Sequence, residues 1–320
     1  MASMLTDLNN FDLIAVKGAD AATFLQGQLT GNIDHVTPAM SIVAAYCDIN
    51  GRIISDMRVI GMNGDLYLLC ARGMGYALKK ILDKYIVFSK ASTSIETSQY
   101  QRYGAYGEKA RETLLSLFGN APENRGQVMQ IEGGVVYRLP DAEPRYEVLI
   151  SADQEETIDK LEDFGVTDDL EEWELADVRQ GIVHITPAIQ DTYTPQVLNY
   201  DLNGTIDFKK GCYTGQEIVA RMYYRAAAKK RLYRIAVNGM RVSLDTTVMH
   251  KSEVVGEIVS VARTENGAYE LLAILPCELA DHKVSLELCN EPGDSPSDRQ
   301  DKAVAKVLTL PDLAAQPPVN

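Results

Sequence analysis

The sequence has few of the residues that build metal sites and disulfide frameworks. Its five cysteines are odd in number and widely spaced, without a C-x-x-C motif, and none of its four histidines forms an H-x-x-x-H pair. A disulfide scaffold, a zinc site and a zinc metalloprotease are therefore disfavoured, and we expect no metal site. A Walker A loop and a G-x-G-x-x-G motif are missing too.

Long hydrophobic runs are also missing. No apolar stretch approaches the roughly 20 residues that span a bilayer. The N-terminal MASMLTDLNNFDL has neither the basic nor the long apolar segment of a signal peptide. We therefore expect a cytoplasmic protein without direct membrane contact. The 320 residues, 46% hydrophobic and 24% charged, are typical of a soluble globular protein with roughly two or three domains.

The charge is unevenly distributed. The net charge of −14 argues against general nucleic-acid binding. Residues 209–234, here called the basic segment, carry one acid, Glu217, against Lys209, Lys210, Arg221, Arg225, Lys229, Lys230, Arg231 and Arg234. This segment indicates a local anionic ligand, with Arg221 and Arg225 as candidate contacts. The alternative is a solvated helix face on which Glu217 and Arg221 pair across one turn.

Strand and helix signals alternate in the first part of the chain. Asn50-Gly51 and Asn63-Gly64 are strong hairpin signals, and they predict a three-stranded meander over residues 41–70. Further strands are predicted at residues 11–16, 100–106, 128–139 and 146–151. Apolar periodicity predicts helices at residues 20–29 (with Gly27 in the interior), 74–85, 108–118, 154–164 and 170–179.

The pattern changes after residue 231. Short strands follow one another without a helical pattern between them, at residues 232–237, 254–262, 268–275, 284–288 and 303–308. This succession predicts a separate small β-barrel or sandwich.

Cys212 is a candidate reactive thiol. It lies between Gly211 and Gly215 in residues 207–225, DFKKGCYTGQEIVARMYYR, and two lysines precede Gly211. Thr214 and Glu217 form a capping box, so a helix is predicted to begin at Thr214. The helix N-terminus and the lysines would favour the thiolate. The alternative is a buried structural cysteine, and a hydrolase is disfavoured because no histidine lies nearby in sequence to act as the base.

Asp56 is a carboxylate in an otherwise apolar strand. Strand alternation places it on the same face as Arg58. The simpler interpretation is a surface ion pair between the two, and the alternative is that both line a ligand cavity.

A long polar loop at residues 186–204 precedes the basic segment, and loops of this length are often functional. Gln196, Asn199 and Tyr200 suit hydrogen bonding and stacking to a polar heteroaromatic ligand. An ordinary surface loop would have a similar composition.

Residues 209–221, KKGCYTGQEIVAR, resemble the K-G-C-Y-x-G-Q-E signature of the YgfZ-type folate-binding proteins, relatives of the glycine-cleavage T-protein (aminomethyltransferase). The resemblance extends over residues 10–235, with matching segments at residues 24–33, 44–59, 84–90, 178–185 and 194–208. It implies an α+β fold of two interwoven αβ subdomains of the aminomethyltransferase folate-binding type (residues 1–231), plus a C-terminal β-barrel (residues 232–320), around a central channel.

The same resemblance implies a function. Tetrahydrofolate or a one-carbon derivative would bind in the channel, and the protein would support iron–sulfur cluster assembly or repair. The clients would be enzymes such as a radical-SAM tRNA thiomethylase, which links the protein to tRNA methylthiolation. Lys210 and Cys212 match the motif lysine and cysteine. One cysteine is too few for a stable four-thiolate cluster in a monomer.

Two positions depart from the aminomethyltransferases. Their paired acids match Ser55 and Asp56, and their pterin-binding glutamate matches Arg179, with Gln180 or Asp177 as substitutes. We therefore expect an accessory factor with Cys212, Lys210 and Asp56 as candidate catalytic residues. The alternative is a folate-dependent aminomethyltransferase acting on a lipoyl-carrier protein. Candidate folate contacts are Asp56, Arg58, Arg179, Gln196, Asn199, Tyr200, Arg221 and Arg225.

Overall fold

The computed structural model describes residues 5–225, 228–281, 284–290 and 302–311. The chain divides into two compact units, each built from several segments. Unit 1 comprises Met1–Leu170, His184–Tyr193 and Gly204–Ala220, and unit 2 comprises Glu171–Val183, Thr194–Asn203 and Arg221–Asn320. The division at residues 231 and 232 stays a prediction.

Unit 1 consists of two sheets with helices packed on them. Its strands are β1 (Leu5–Asp7), β2 (Phe11–Lys17), β3 (Ile42–Cys47), β4 (Ile53–Met62), β5 (Asp65–Ala71), β6 (Ser92–Ile95), β7 (Tyr100–Tyr106), β8 (Val128–Ile131), β9 (Gly134–Arg138), β10 (Arg145–Ser151) and β11 (Val166–Thr167). Its helices are α1 (Ala21–Gln26), α2 (Gly75–Tyr85), α3 (Gly107–Phe118) and α4 (Glu155–Glu162).

The first sheet has the order β3-β4-β5-β2-β6, with antiparallel neighbours throughout. The predicted meander is confirmed, because β3, β4 and β5 are consecutive in it. Asn63 (φ 54°) and Gly64 (φ 84°) both adopt the left-handed conformation, as a tight hairpin turn between right-twisted strands requires.

The second sheet has the order β11-β1-β7-β10-β9-β8. Apolar side chains of α3 and α4, including Leu114 and Leu161, are buried in one core with Val148 of β10. The single strand predicted at residues 128–139 is wrong: β8 and β9 form a hairpin, and Gly133 (φ 69°) lies at its turn.

Unit 2 contains a closed six-stranded barrel of order β12-β15-β14-β13-β16-β17. These strands are β12 (Lys230–Val237), β13 (Thr247–His250), β14 (Glu253–Arg263), β15 (Tyr269–Pro276), β16 (Leu286–Cys289) and β17 (Lys302–Leu308). The core includes Ile235, Val248, Leu271 and Leu286, all fully buried. The predicted β-rich region is therefore confirmed as a barrel.

The described residues also form the α-helices α5 (Glu171–Gln180), α6 (Gln216–Arg225) and α7 (Cys277–Asp281), and short 3-10 helices at Ile33–His35, Ile86–Phe88 and Thr97–Gln99. The sequence pattern missed α7, which interrupts the succession of barrel strands, and it missed the short strand β13. Within the part of the chain that the structure describes, no helix is both long and apolar enough to cross a membrane.

Candidate functional site

The carboxylate of Asp56 in β4 is held from two sides. Its Oδ1 accepts a hydrogen bond from the backbone N–H of Ile185 at 2.7 Å. Its Oδ2 lies 3.0 Å from Nδ1 of His184. The Asp56 side chain is 15% exposed, whereas that of His184 is 51% exposed. The pair therefore places a half-exposed imidazole on top of a mostly buried carboxylate.

The predicted surface ion pair between Asp56 and Arg58 is wrong. Among the described residues these two form no ion pair, and Arg58 instead donates to Oγ of Ser41 at 3.0 Å. Its guanidinium also lies over the ring of Tyr137, 4.9 Å from the centroid. The cation–π contact and the hydroxyl direct Arg58 away from Asp56, although both residues share a strand face.

His184 was missed by the reasoning from sequence. The signal that could have found it is the polar His184 between the apolar Val183 and Ile185, and the structure indeed buries both apolar residues and exposes His184. An extended segment with this pattern presents the middle side chain on the opposite face from its neighbours. The pairing of His184 with Asp56, 128 residues away, has no local signature.

Cys212 is exposed, so the alternative of a buried structural cysteine is wrong. The capping box is also wrong, because α6 begins at Gln216 and Thr214 donates instead towards Oε1 of Gln28, at 3.4 Å. The cause is Gly215, which has φ 80° and no room for a Cβ atom: an added Cβ would lie 2.3 Å from the carbonyl oxygen of Asp48. A residue in this conformation cannot continue a helix.

Lys210, the motif lysine, is buried and fixes the backbone at the end of α1. Its Nζ donates to the carbonyl oxygens of Gln26 (2.8 Å), Leu29 (2.6 Å) and Gly31 (2.8 Å). These bonds use all three ammonium donors. Burial lowers the pKa of Lys210 to about 8. The helix predicted at residues 20–29 ends at Gln26, and Lys210 satisfies carbonyls that lack helical partners there.

The predicted contacts of the polar loop lie in unit 2, where Arg231 orders the backbone. Arg231 donates to the backbone oxygen of Gln196 at 3.1 Å and to Oδ1 of Asn199 at 3.1 Å. It also forms a two-point ion pair with Asp201, at 2.9 and 2.8 Å. The hydroxyl of Tyr200 donates to the carbonyl oxygen of residue 183 at 2.9 Å. These contacts are internal to unit 2, and the roles in ligand binding stay predictions.

Arg179 occupies the position of the aminomethyltransferase glutamate, and it pairs with a carboxylate of the barrel. Its Nη2 lies 3.0 Å from Oε1 of Glu270, whose Oε2 accepts from Nε of Arg234 at 2.7 Å. Glu270 therefore neutralises two arginines of unit 2. Part of the basic segment is also used internally, because Lys210, Arg231 and Arg234 all have protein partners.

Two proteins of known name are similar to this chain over most of its length. No family model matches the chain. A protein of Pectobacterium carotovorum subsp. carotovorum (strain PC1), named tRNA-modifying protein YgfZ, is 29% identical over 290 residues, which cover 89% of this chain and 87% of that protein. A protein of the same name from Yersinia pseudotuberculosis serotype IB (strain PB1/+) is 28% identical over 286 residues, covering 88% and 86%. The chain is a homologue of the YgfZ proteins.

A solved structure supports the fold. The glycine cleavage system aminomethyltransferase T of Bartonella henselae superposes with a TM-score of 0.77 at 16% identity, over 97% of this YgfZ homologue and 86% of that chain. The predicted α+β fold of the aminomethyltransferase type with a C-terminal barrel is confirmed.

In this YgfZ homologue the candidate residues separate by unit. The predicted catalytic residues Asp56, Lys210 and Cys212 all belong to unit 1, as does Arg58. The remaining predicted folate contacts belong to unit 2, where Arg221 and Arg225 are exposed on α6: Arg179, Gln196, Asn199, Tyr200, Arg221 and Arg225. Within unit 1 the structure joins Asp56 to His184, a residue outside the predicted set.

Proposed function

We propose that this YgfZ homologue binds a reduced folate, tetrahydrofolate or a one-carbon derivative, and acts as an accessory factor in tRNA modification. The main support is its similarity, over 89% of the chain, to proteins named tRNA-modifying protein YgfZ. The aminomethyltransferase fold adds support, because the sequence resemblance links that fold to folate. We place the protein in the cytoplasm, working on a protein client rather than on tRNA itself.

The client in this proposal is an iron–sulfur enzyme such as a radical-SAM tRNA thiomethylase. Cys212 is the residue proposed to act on it, because its thiol is exposed and follows Lys209, which is also exposed. Three roles fit an accessible thiol: trapping a one-carbon unit, attacking a folate-bound iminium, or ligating iron transiently. Asp56 and Arg58, both of unit 1, are proposed to contact the folate.

Folate binding is tested by calorimetry with tetrahydrofolate and its methylene and formyl forms. We expect at least one form to bind with a dissociation constant below 1 mM, equivalent to about −4 kcal/mol. No heat of binding for any form at millimolar concentration would reject the proposal.

The role of the thiol is tested by complementation in a strain that lacks the protein. Cys212→Ser is expected to lose rescue of tRNA methylthiolation. Cys289→Ser is the matched control, because Cys289 is a partly buried thiol at the end of a barrel strand. Full rescue by Cys212→Ser would remove the thiol from the proposal and leave folate binding untouched.

A second candidate function is one-carbon transfer from an aminomethyl-lipoyl carrier to tetrahydrofolate. It is favoured by the fold and by the carboxylate of Asp56. It is disfavoured by Ser55, which is fully buried at the position of the other acid and donates to the backbone oxygen of Asp56 at 3.0 Å. Formation of methylenetetrahydrofolate from such a carrier would establish this activity, and its absence would exclude it.

A further inference from the structure

Helix α2 and the 3-10 turn that follows it have two opposite faces. Leu78, Leu82 and Ile86 recur every four residues and are buried. Residues midway between these positions lie on the other side of a helix with 3.6 residues per turn. That side, here called the outer face, consists of five exposed residues: Tyr76, Lys80, Lys84, Val87 and Phe88.

The outer face carries large apolar groups as well as charge. Phe88 is 98% exposed, Tyr76 75% and Val87 67%. Single exposed apolar residues are ordinary on a protein surface. Here two are adjacent, a third lies on the same helical face, and the lysine side chains between them add their own methylene groups. An aromatic side chain with nearly complete exposure in such a patch is typical of an anchor that fills a pocket of a binding partner.

The charge of the outer face is positive. Within the described part of the chain, Lys80 and Lys84 form no ion pair. Asp83 is the only acid of α2, and it pairs with Lys79 at 2.6 Å, outside the outer face. Lys90, exposed shortly after Phe88, adds a further positive charge. A complementary partner therefore offers an apolar pocket surrounded by carboxylates.

The outer face adjoins the motif that contains Cys212. Tyr85, half exposed at the end of α2, interacts electrostatically with Tyr46 of β3, and a side-chain hydrogen bond joins Tyr46 to Thr214. All of these residues belong to unit 1. Cys212 is exposed two positions before Thr214. A partner bound to the outer face would therefore lie beside the thiol.

We propose that the outer face of α2 is the docking surface for the protein client of Cys212, and that this client presents an acidic surface with an apolar pocket for Phe88. The inference rests on the proposed function, in which the client is an iron–sulfur enzyme. Phe88 supplies the main binding contact. Lys80 and Lys84 select an acidic surface and accelerate encounter with it.

The charge of the whole chain favours a protein over RNA or an anionic membrane. Both of these are extended polyanions, and a chain with a net charge of −14 is repelled by them as a whole. A protein can place its carboxylates opposite the lysines alone, within the screening length of about 8 Å at physiological salt. Val87 also has no ring on which a base could stack.

The anchor is tested by titrating the purified radical-SAM tRNA thiomethylase of the same organism with wild type and Phe88→Ala. We expect the variant to bind at least about tenfold more weakly. The side chain is almost fully exposed, so the fold should be unaffected, and thermal unfolding checks this. Val87→Ala and Val304→Ala are a matched pair, exposed 67% and 69%, and only the first should weaken binding. Equal affinity of wild type and Phe88→Ala would overturn the inference.

The charges are tested with the double variant Lys80→Glu/Lys84→Glu. The affinity of the wild type for the thiomethylase should fall as salt is raised from about 50 to 500 mM, because screening weakens attraction between exposed charges. The double variant should bind at least about tenfold more weakly at the lower salt and should lose this decline. Lys109→Glu is the control, because Lys109 is an exposed lysine of α3 in the same unit. The same salt dependence in wild type and double variant would contradict the acidic partner.

Other occupants of the outer face give different results. Binding of the wild type to bulk tRNA or to phosphatidylglycerol vesicles, lost in Phe88→Ala, would overturn the assignment to a protein client. A dimer of this chain in sedimentation velocity that Phe88→Ala dissociates would do the same.

The outcomes separate docking from the function on which it rests. Tetrahydrofolate should bind wild type and Phe88→Ala with equal affinity in calorimetry, and a loss in the variant would place Phe88 in the folate site and overturn the inference. Failure of the wild type to bind the thiomethylase would overturn docking, while the calorimetry of the wild type decides folate binding independently.

Discussion

The polar side chains of unit 1 and unit 2 are held in different ways. In unit 2, Arg231 and Glu270 each bind several partners of their own unit, and the ion pair of Arg231 with Asp201 is almost buried, with Asp201 1% exposed. In unit 1, Asp56 binds a histidine whose side chain is 51% exposed. Closed, buried networks of this kind are expected to stabilise a fold, whereas half of the His184 side chain in unit 1 is exposed to solvent. The comparison therefore predicts that the buried polar contacts of unit 2 contribute more to stability than exposed polar pairs do.

The largest expected effect is on the closed network of unit 2. Asp201→Ala removes the carboxylate that neutralises Arg231 and leaves the guanidinium without its buried counter-charge. We expect the free energy of unfolding to fall by about 3 kcal/mol, measured by urea denaturation. Glu287→Gln is the control, because the Lys302–Glu287 pair is exposed on both sides and should contribute under about 0.5 kcal/mol. Equal losses in the free energy of unfolding for Asp201→Ala and Glu287→Gln would contradict the stabilising role of the buried network.

Gly215→Ala tests the backbone of the motif in unit 1. The left-handed conformation costs about 1–2 kcal/mol for alanine, and the 2.3 Å approach of its Cβ to the Asp48 carbonyl adds to this. We expect a loss of about 2–3 kcal/mol in the free energy of unfolding. Gly211→Ala is matched, because an added Cβ there meets no atom within 4 Å. A comparable loss at Gly211 would contradict the contact-based explanation.

Lys210 is expected to make stability depend on alkaline pH. Burial lowers its pKa from 10.5 to about 8 in the folded protein, so between these values the unfolded state binds more protons than the folded state. The contribution of this group to stability therefore increases as pH rises from 8 to 10.5. The urea midpoint should shift upward across this interval relative to that of Lys210→Met, which lacks the titrating group. If the urea midpoints of the two proteins changed in parallel with pH, the lowered pKa of Lys210 would be disproved.

The smallest expected effect is at Tyr213, next to the motif cysteine. Its hydroxyl is buried and has no hydrogen-bond partner among the described residues, and burial raises the pKa of Tyr213 above its usual value. Tyr213→Phe removes only this hydroxyl. We expect the free energy of unfolding, measured by thermal unfolding, to stay the same or to rise by up to about 1 kcal/mol. A loss above about 2 kcal/mol in the free energy of unfolding would indicate that the Tyr213 hydroxyl does have a hydrogen-bond partner.

Much of the fold could be predicted because its signals are local. The Asn63-Gly64 turn imposes its own hairpin, and the barrel strands follow from short apolar segments separated by turns. The start of α6 could not be predicted from Thr214 and Glu217, because the deciding contact is between Gly215 and the Asp48 carbonyl, far away in sequence. Tertiary contacts override local capping patterns in such cases.

The candidate site was predictable only in part for the same reason. The motif identified Cys212 and Lys210, but the three carbonyl partners of Lys210 have no pattern in the sequence. Asp56 was conspicuous as a carboxylate in an apolar strand, whereas His184 is an ordinary histidine until the fold places it beside Asp56. Pairing across 128 residues is set by topology rather than by local propensity.

The Lys210 ammonium also has a consequence for the order of events during synthesis. It binds carbonyls that lie 184, 181 and 179 residues earlier in the chain. At a ribosomal rate of about 5–20 residues per second, Lys210 is synthesised roughly 10–40 s after the carbonyl groups that it binds. The end of α1 is thus incomplete on the ribosome until residue 210 has been made. During this interval the strands of the first sheet have been translated but Lys210 has not, so a chaperone that binds the nascent chain would bind it without this lysine.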